Sequence, residues 1–245
     1  MSDFIWDDTL KLGRETAALT ARVWPRYLVE DSDIPDRTLK FAISPQELER
    51  RFPVWGLRHQ GQRIAYINAA LVHANLEQEH LPNEGWRYAI QAAGSVIQPN
   101  ALCLLAANID PQARGHGLAQ QLIDRAKQAA RDLGFKDVIA PVRPTLKREF
   151  PFHSMNDYIQ KRSDTGEMYD PWLKVHVKAG GQVTNVCHES VKISASLNKW
   201  RDWTKMSLAT SGDHIIPEGL APLKVDIYRG VGIYTEPNVW VRYKL

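Results

Sequence analysis

The sequence predicts an α/β fold, in which a central sheet is flanked by helices. Residues 101–142 read as strand, glycine turn, helix and strand. Residues 54–67 read as two strands joined by a short Gln-Gly turn. Beyond Gln182 the chain again becomes rich in strand-like segments, at 183–186, 191–194, 223–227 and 232–243. Together these segments predict one sheet with helices packed against it.

The N-terminal part of the chain predicts two helices. Residues Thr9 to Val29 carry a helical period, and Pro25 is expected to bend or end that helix. The positions that share its apolar face are Leu10, Leu12, Thr16, Leu19, Val23 and Tyr27. A short second helix is predicted after Ser44, because Ser44 is a good N-cap and Pro45 suits the first helical position.

An insertion of about residues 75–99 follows the predicted hairpin. Its apolar spacing predicts a helix, which is expected to cover one wall of a cleft. The residues that give this spacing are Trp86, Tyr88, Ala89, Ile90, Ala93 and Val96.

The central unit begins with the apolar run from Ala101 to Ala107, which is typical of a buried strand, and Pro111 stops further pairing. An amphipathic helix is predicted from Gly117 to Asp132, with Gly134 just beyond its C-terminal end. Its apolar positions are Leu118, Leu122, Ile123, Ala126, Ala129, Ala130 and Leu133. Val138 to Val142 is the next predicted buried strand.

The turn between the first strand and the helix has the chemistry of an anion site. Unpaired N–H groups and partial positive charge gather at a helix N-terminus, and Gly115 and Gly117 let an anion approach the backbone. Neither the three-glycine dinucleotide fingerprint nor a G-K-[ST] phosphate loop is present. The turn instead matches the pattern Q/R-x-x-G-x-G/A, with Gln112 at its first position.

With this pattern, the chain resembles the GNAT acyltransferase superfamily. The hairpin precedes the cofactor strand as in that family, and Pro111 precedes Arg114-Gly115 as in many members. The segment 171–181 resembles the family's later helix, with His176 where a tyrosine is usual. The resemblance implies a mixed, mostly antiparallel sheet and one domain over residues 1–245, with insertions near 75–99 and 143–170 and a C-terminal extension near 195–245.

The resemblance also implies where coenzyme A binds. The pantetheine is expected to pair with the backbone of Ala107 and Ile109, and Arg114 is a possible phosphate partner. His116 is expected to have a structural role or to contact the cofactor. The pyrophosphate is expected to meet the N–H groups of Gln112, Ala113, Arg114, Gly115, His116, Gly117, Leu118 and Ala119.

For catalysis, His176 is the candidate acid that protonates the leaving thiolate, because an imidazole with a pKa near 6.5 is partly charged at neutral pH. The base is open among candidates that no spacing singles out, or the amine loses its proton through water. These candidates are His73, Glu84, His153 and Asp170. Trp86 and Trp172 are interpreted as core or cleft walls.

Composition, charge and cysteine spacing argue against several classes of protein. The 31 basic and 28 acidic residues leave a formal charge of only +3, which argues against nucleic-acid binding. The acidic N-terminus predicts no secretory signal, and no apolar run reaches the roughly 20 residues of a membrane span. Cys103 and Cys187 have no metal-ligand spacing, so no metal is expected, and a reducing cytoplasm fits best.

The function predicted is transfer of an acyl group, most simply acetyl from acetyl-CoA, to an amine of a small molecule. One alternative is a longer acyl-CoA, or an acyl carrier protein that docks on basic residues of the 143–170 insertion, which is expected near the acyl group. Those residues are Lys147, Arg148, Lys161 and Arg162. Another alternative is a non-catalytic protein that binds coenzyme A. The oligomeric state stays open.

Overall fold

The computed structural model describes residues 4–8, 13–30 and 44–245. Within these ranges, nine strands form one sheet in the order β1-β2-β3-β4-β5-β9-β8-β7, and β6 pairs with the other edge of β9. The strands are β1 (Phe4–Asp7), β2 (Val54–His59), β3 (Gln62–Val72), β4 (Ala101–Ile109), β5 (Asp137–Val142), β6 (Gln182–Ser196), β7 (Gly212–His214), β8 (Leu223–Asp226) and β9 (Val231–Lys244). Each pairing is antiparallel except that of β4 with β5, so the predicted mixed, mostly antiparallel sheet is confirmed.

Helices pack on both faces of this sheet. They are α1 (Arg14–Val23), α2 (Arg26–Glu30), α3 (Pro45–Arg51), α4 (Gly85–Ala93), α5 (Leu118–Asp132), α6 (Met155–Tyr158), α7 (Pro171–Lys178) and α8 (Leu197–Thr204). The largest apolar cluster lies between the sheet and α5, and it includes Leu102, Leu122 and Val241. A second cluster packs α4 on the opposite face, and a third surrounds Trp200 of α8.

The hairpin and the central unit form where the sequence predicts them. Gln60 and Gly61 both have positive φ, 49° and 77°, as a tight two-residue hairpin turn requires. The strand β4 runs two residues beyond the predicted end, and α5 begins after Gly117, whose φ is 69°.

The N-terminal helical segment breaks at Pro25, which is expected to bend or end it, and the chain continues as a second short helix. Pro25 separates α1 from α2, because it has no N–H to continue the helical hydrogen bonds. Thr16, Leu19 and Tyr27 are buried as predicted, whereas Leu10 and Leu12 lie outside the described residues. Ser44 caps α3 by accepting from the N–H of Glu47.

Two parts of the later chain also differ from the prediction. The helix of the first insertion ends at Ala93, so Val96 is not part of it and is 71% exposed. The segments predicted as two strands at 183–186 and 191–194 form the single long strand β6, which is interrupted by irregular pairing with β9. The strands β1 and β7 and the helix α8 are not predicted, because short edge strands and a two-turn helix have weak periodicity.

None of the helices in the described ranges is both long and apolar enough to cross a membrane.

Candidate active site

A deep cleft of about 1900 Å³ opens where β4 and β5 separate. Only Leu102 and Cys103 of β4 pair with β5, through Val138 and Ile139, although β4 continues to Ile109 and β5 to Val142. The remaining length of β4 therefore has a free edge on the β5 side.

Register shows which backbone groups face that gap. Asp110 donates its N–H to the carbonyl of Ile64 at 2.8 Å, and Ile109 stands opposite Ala65. Hydrogen-bonded and non-bonded positions alternate along an antiparallel pair, so the N–H and C=O groups of Ala107 and Ile109 point away from β3. A β-bulge follows Asn68, where Ala69 stands opposite Leu104 and leaves Leu105 without a partner. The free edge is therefore available for an extended ligand.

The glycine turn at the end of β4 leaves a run of N–H groups free. Gly115 and Gly117 have φ of 87° and 69°, and a Cβ built on either would have no atom within 4 Å, so open space faces both. Among the described residues, the N–H groups from Arg114 through Ala119 have no hydrogen-bond acceptor. Free donors at the N-terminus of α5 make this turn suited to a pyrophosphate.

Two of the N–H groups predicted to meet the pyrophosphate are already hydrogen-bonded within the turn. The N–H of Gln112 donates to the Asp110 carboxylate at 3.0 Å, and the N–H of Ala113 donates to the Asp110 carbonyl at 2.9 Å. These two N–H groups are therefore not available to a ligand. His116 is exposed outside the cleft lining, whereas Arg114 is exposed within it and forms no ion pair with another described residue.

His176 lines the cleft from α7, but its charge state differs from the prediction. Its side chain is 3% exposed, and burial lowers its pKa from 6.5 to about 3. The expectation of a partly protonated imidazole at neutral pH is therefore wrong. Its Nδ1 lies 2.6 Å from the Tyr243 hydroxyl, while the buried Nε2 has no hydrogen-bond partner. A neutral ring in this position can offer a hydrogen bond but cannot supply a charge.

The four candidate bases do not lie in the cleft lining. His73 borders a separate depression, and Glu84 and His153 are exposed elsewhere. Asp170 is buried, and its carboxylate accepts four hydrogen bonds. Their donors are the N–H groups of Leu146, Trp172 and Leu173 and the hydroxyl of Tyr158. Asp170 thus caps α7, and both of its carboxylate oxygens are engaged in these hydrogen bonds. Trp86 and Trp172 do line the cleft, as interpreted from the sequence.

The basic side chains predicted to dock an acyl carrier protein largely make contacts within the chain. Lys147 is 1% exposed, burial lowers its pKa to about 8, and its ammonium donates to the carbonyls of Phe150 and Leu220. Arg148 is paired with Glu218, and Lys161 lies over the ring of Phe150. Lys147 therefore cannot form part of an exposed basic patch.

A buried polar group on the sheet face opposite α5 is not among the residues predicted from the sequence. Arg143, directly after β5, forms a bidentate pair with Glu236 of β9, at 2.9 and 3.0 Å. Glu236 is 0% exposed and also accepts from the Tyr234 hydroxyl at 2.6 Å. Asn238 follows on the same face. The available signal was alternation, because polar residues occupy inward positions of an otherwise apolar strand.

Comparison with known proteins agrees with this geometry. The model of the Acetyltransferase (GNAT) family matches residues 17–156, more than half of the 245 residues. The chain is 33% identical over 202 residues to "Arginine N-acetyltransferase avaD" of Aspergillus versicolor, and the match covers 73% of this chain and 69% of the relative.

Solved structures share the fold. The loading GNATL domain of CurA from Lyngbya majuscula superposes with a TM-score of 0.60 at 16% identity, covering 98% of this chain and 97% of that one. The GphF GNAT-like decarboxylase, solved with isobutyryl-CoA, gives a TM-score of 0.51 at 21% identity, covering 94% and 93%. With the parted strands, the glycine turn and the sequence matches together, the chain belongs to the GNAT acetyltransferase family and is an N-acetyltransferase of that type.

Proposed function

We propose that this protein transfers an acetyl group from acetyl-CoA to the amine of a small molecule. The observation that carries this proposal is the free edge of β4, which leads directly to the run of free N–H groups from Arg114 through Ala119. That arrangement fits a ligand with an extended amide-containing arm and a pyrophosphate at its end. The name of the Aspergillus versicolor relative makes arginine the first acceptor to test.

The residues present fit coenzyme A. The backbone of Ala107 and Ile109 would pair with the pantetheine, and the turn would hold the pyrophosphate without a Cβ at Gly115 or Gly117 to obstruct it. Arg114 adds a cation at the mouth of the same turn. The acyl group would then lie deeper in the gap between β4 and β5, close to the cleft residues of both strands.

Transfer joins the acceptor nitrogen to the acyl carbon and breaks the carbon–sulfur bond, so the amine must be neutral and the departing thiolate must gain a proton. His176 supports this step as a neutral group, with Nε2 as the free position of the ring. When the Tyr243 hydroxyl donates to Nδ1, the ring proton resides on Nε2. The Nε2–H can then donate a hydrogen bond to the developing negative charge without transferring its proton. The attacking nitrogen gains positive charge as its bond to the acyl carbon forms and releases one proton to solvent, and the departing thiolate takes up one proton from solvent.

A donor comparison tests the proposal. We expect acetyl-CoA to raise the melting temperature and to support amine-dependent release of free thiol. Longer acyl-CoA thioesters should bind through the same turn but transfer more slowly. A ligand at 100 times its dissociation constant stabilises by about 2.7 kcal/mol, which melting detects readily. Faster transfer from a longer thioester, or from an acyl carrier protein, would show that the proposed donor is wrong.

A further inference from the structure

The cleft wall on the sheet face opposite α5 contains buried amide groups whose hydrogen bonds are incomplete. Asn108 of β4 is 0% exposed and Asn238 of β9 is 4% exposed, and both line the cleft. The Asn108 Nδ2 lies near the Tyr66 hydroxyl but forms no hydrogen bond of normal geometry with a described residue, and the Asn238 Oδ1 has no partner among them. A buried polar atom without a partner destabilises a protein, so such atoms are commonly completed by a ligand at functional sites.

The orientation of Asn108 is set by its neighbour. The indole Nε1 of Trp24 donates to the Asn108 Oδ1, and an indole nitrogen cannot accept a hydrogen bond. The amide oxygen must therefore face Trp24. This leaves the Asn108 Nδ2, a donor only, as the free atom, and its natural partner is an oxygen of a ligand.

Arg143 offers a second donor beside the first. Its guanidinium lies over the ring of Trp24, 5.8 Å from the centroid, so one indole contacts both Asn108 and Arg143. The Nε and Nη2 of Arg143 bind Glu236, and Nη2 also donates to the Glu218 carbonyl. Nη1 forms no hydrogen bond with the described residues, and the side chain remains 15% exposed in the cleft.

Asn238 presents the opposite polarity. Its Nδ2 donates to the Ser190 hydroxyl at 2.9 Å and approaches the Pro141 carbonyl at 3.4 Å. Because a carbonyl only accepts, the amide nitrogen must face Pro141, and the free atom is the acceptor Oδ1. The cleft wall thus has two free donor groups around Trp24 and one free acceptor on the other side of the strand gap.

We propose that this wall binds an α-amino acid as the acyl acceptor, with its carboxylate on the Asn108 Nδ2 and the Arg143 Nη1. The amino group donates one N–H to the Asn238 Oδ1, which leaves its lone pair free to attack the thioester. This inference rests on the proposed function and specifies its acceptor: the site recognises the main-chain carboxylate and amine together, whatever the side chain.

The first test uses the unaltered protein and acetyl-CoA. L-arginine, L-lysine and L-phenylalanine are each compared with their own carboxamides. The carboxamide lacks the negative charge, and its amine is less basic, so a larger fraction of the amine is neutral at pH 7.5. If the site does not recognise the carboxylate, the carboxamide should therefore react faster than the amino acid. We expect kcat/KM to be on the order of 10- to 100-fold higher for the best amino acid than for its carboxamide.

The second test changes Asn108→Asp, which keeps the Oδ1 for Trp24 but replaces the free donor with a negatively charged oxygen. We expect the preference for the amino acid over its carboxamide to fall by at least about 10-fold, while the KM for acetyl-CoA stays unchanged. Asn198→Asp is the matched control, because Asn198 is exposed on α8 outside the cleft. It should leave the preference intact.

The outcomes separate the two proposals. Absence of transfer to every amine tested would overturn the proposed function and this inference with it. Transfer in which the carboxamides equal or exceed the amino acids would overturn this inference alone. This inference alone would also be overturned if the Asn108→Asp protein folds and binds acetyl-CoA but keeps the original preference for the amino acid. If that variant does not fold, the comparison with the unaltered protein still decides.

Discussion

The His176 ring and the Tyr243 hydroxyl form a buried pair, 2.6 Å apart, that joins α7 to β9 beneath the cleft. Burial raises the pKa of Tyr243 and lowers that of His176, so both groups are neutral across the physiological range. The Trp172 and His176 rings pack in a T-shaped arrangement, with centroids 4.5 Å apart. The histidine is thus held in one orientation rather than free to gain and lose protons.

Removing the imidazole should slow transfer without weakening cofactor binding. In His176→Phe the apolar packing remains, but the free Nε2 position is lost. We expect kcat to fall on the order of 10- to 100-fold, with an unchanged dissociation constant for acetyl-CoA. Steady-state kinetics with calorimetric binding measures both quantities. An unchanged kcat would show that His176 has no part in the reaction.

The same histidine should make stability depend on acid. Its pKa is about 3 in the folded protein and 6.5 when unfolded, so the unfolded chain binds more protons between these values. Stability is therefore fully present above pH 6.5 and declines as the pH falls towards 3, by up to about 1.4 kcal/mol per pH unit.

This contribution is isolated by comparing variants. Urea unfolding of the unaltered protein and of His176→Phe is measured at pH 7.5 and pH 5. We expect the variant to lose less stability on acidification, although it starts lower by about 1–3 kcal/mol because the Tyr243 hydroxyl loses its partner. Parallel losses in the two proteins would contradict the buried neutral imidazole.

A side chain at Gly115 should weaken cofactor binding. Gly115 and Gly134 both have positive φ, 87° and 77°, and open space beside them, so Gly→Val costs about 1–2 kcal/mol of backbone strain at either position. Only Gly115 lines the cleft. We expect Gly115→Val to weaken acetyl-CoA binding at least about 10-fold and Gly134→Val to leave it unchanged. Equal affinities in the two variants would argue against the phosphate turn.

Arg143 and Glu236 should be strongly coupled. Glu236 is buried, so Glu236→Gln leaves a guanidinium without its counter-charge, and Arg143→Met leaves the carboxylate alone. Each single change should cost about 3–5 kcal/mol, whereas the double variant should cost far less than their sum. Denaturant unfolding of the four proteins measures this coupling. Additive losses would show that the pair contributes no mutual stabilisation.

The parts of the fold that were predictable are those fixed by short-range chemistry. A two-residue hairpin turn needs positive φ, which Gln60-Gly61 provides. The glycine turn is recognisable because an apolar strand precedes it and an amphipathic helix follows it. Pro25 correctly marked a break, but the sequence could not decide between a bend and two separate helices.

The acceptor side of the cleft depends on contacts between distant parts of the chain. Trp24 meets Asn108, and Arg143 meets Glu236, through a sheet topology that no local pattern specifies. The position of His176 in a motif marks it as a candidate, yet its charge state is decided by burial against Trp172 and Tyr243. Tertiary burial, rather than residue type, therefore determines which polar groups can act.

Amine-dependent release of coenzyme A from acetyl-CoA tests the central proposal most directly, with the product identified by mass spectrometry. The protein is incubated with L-arginine and with acetyl-CoA below its KM, and Gly115→Val is the control with weakened cofactor binding. We predict free thiol and N-acetylated arginine in equal amounts from the unaltered protein, and far less of both from the control. Thiol release without an acetylated amine, or equal rates in the two proteins, would contradict acetyl transfer at this cleft.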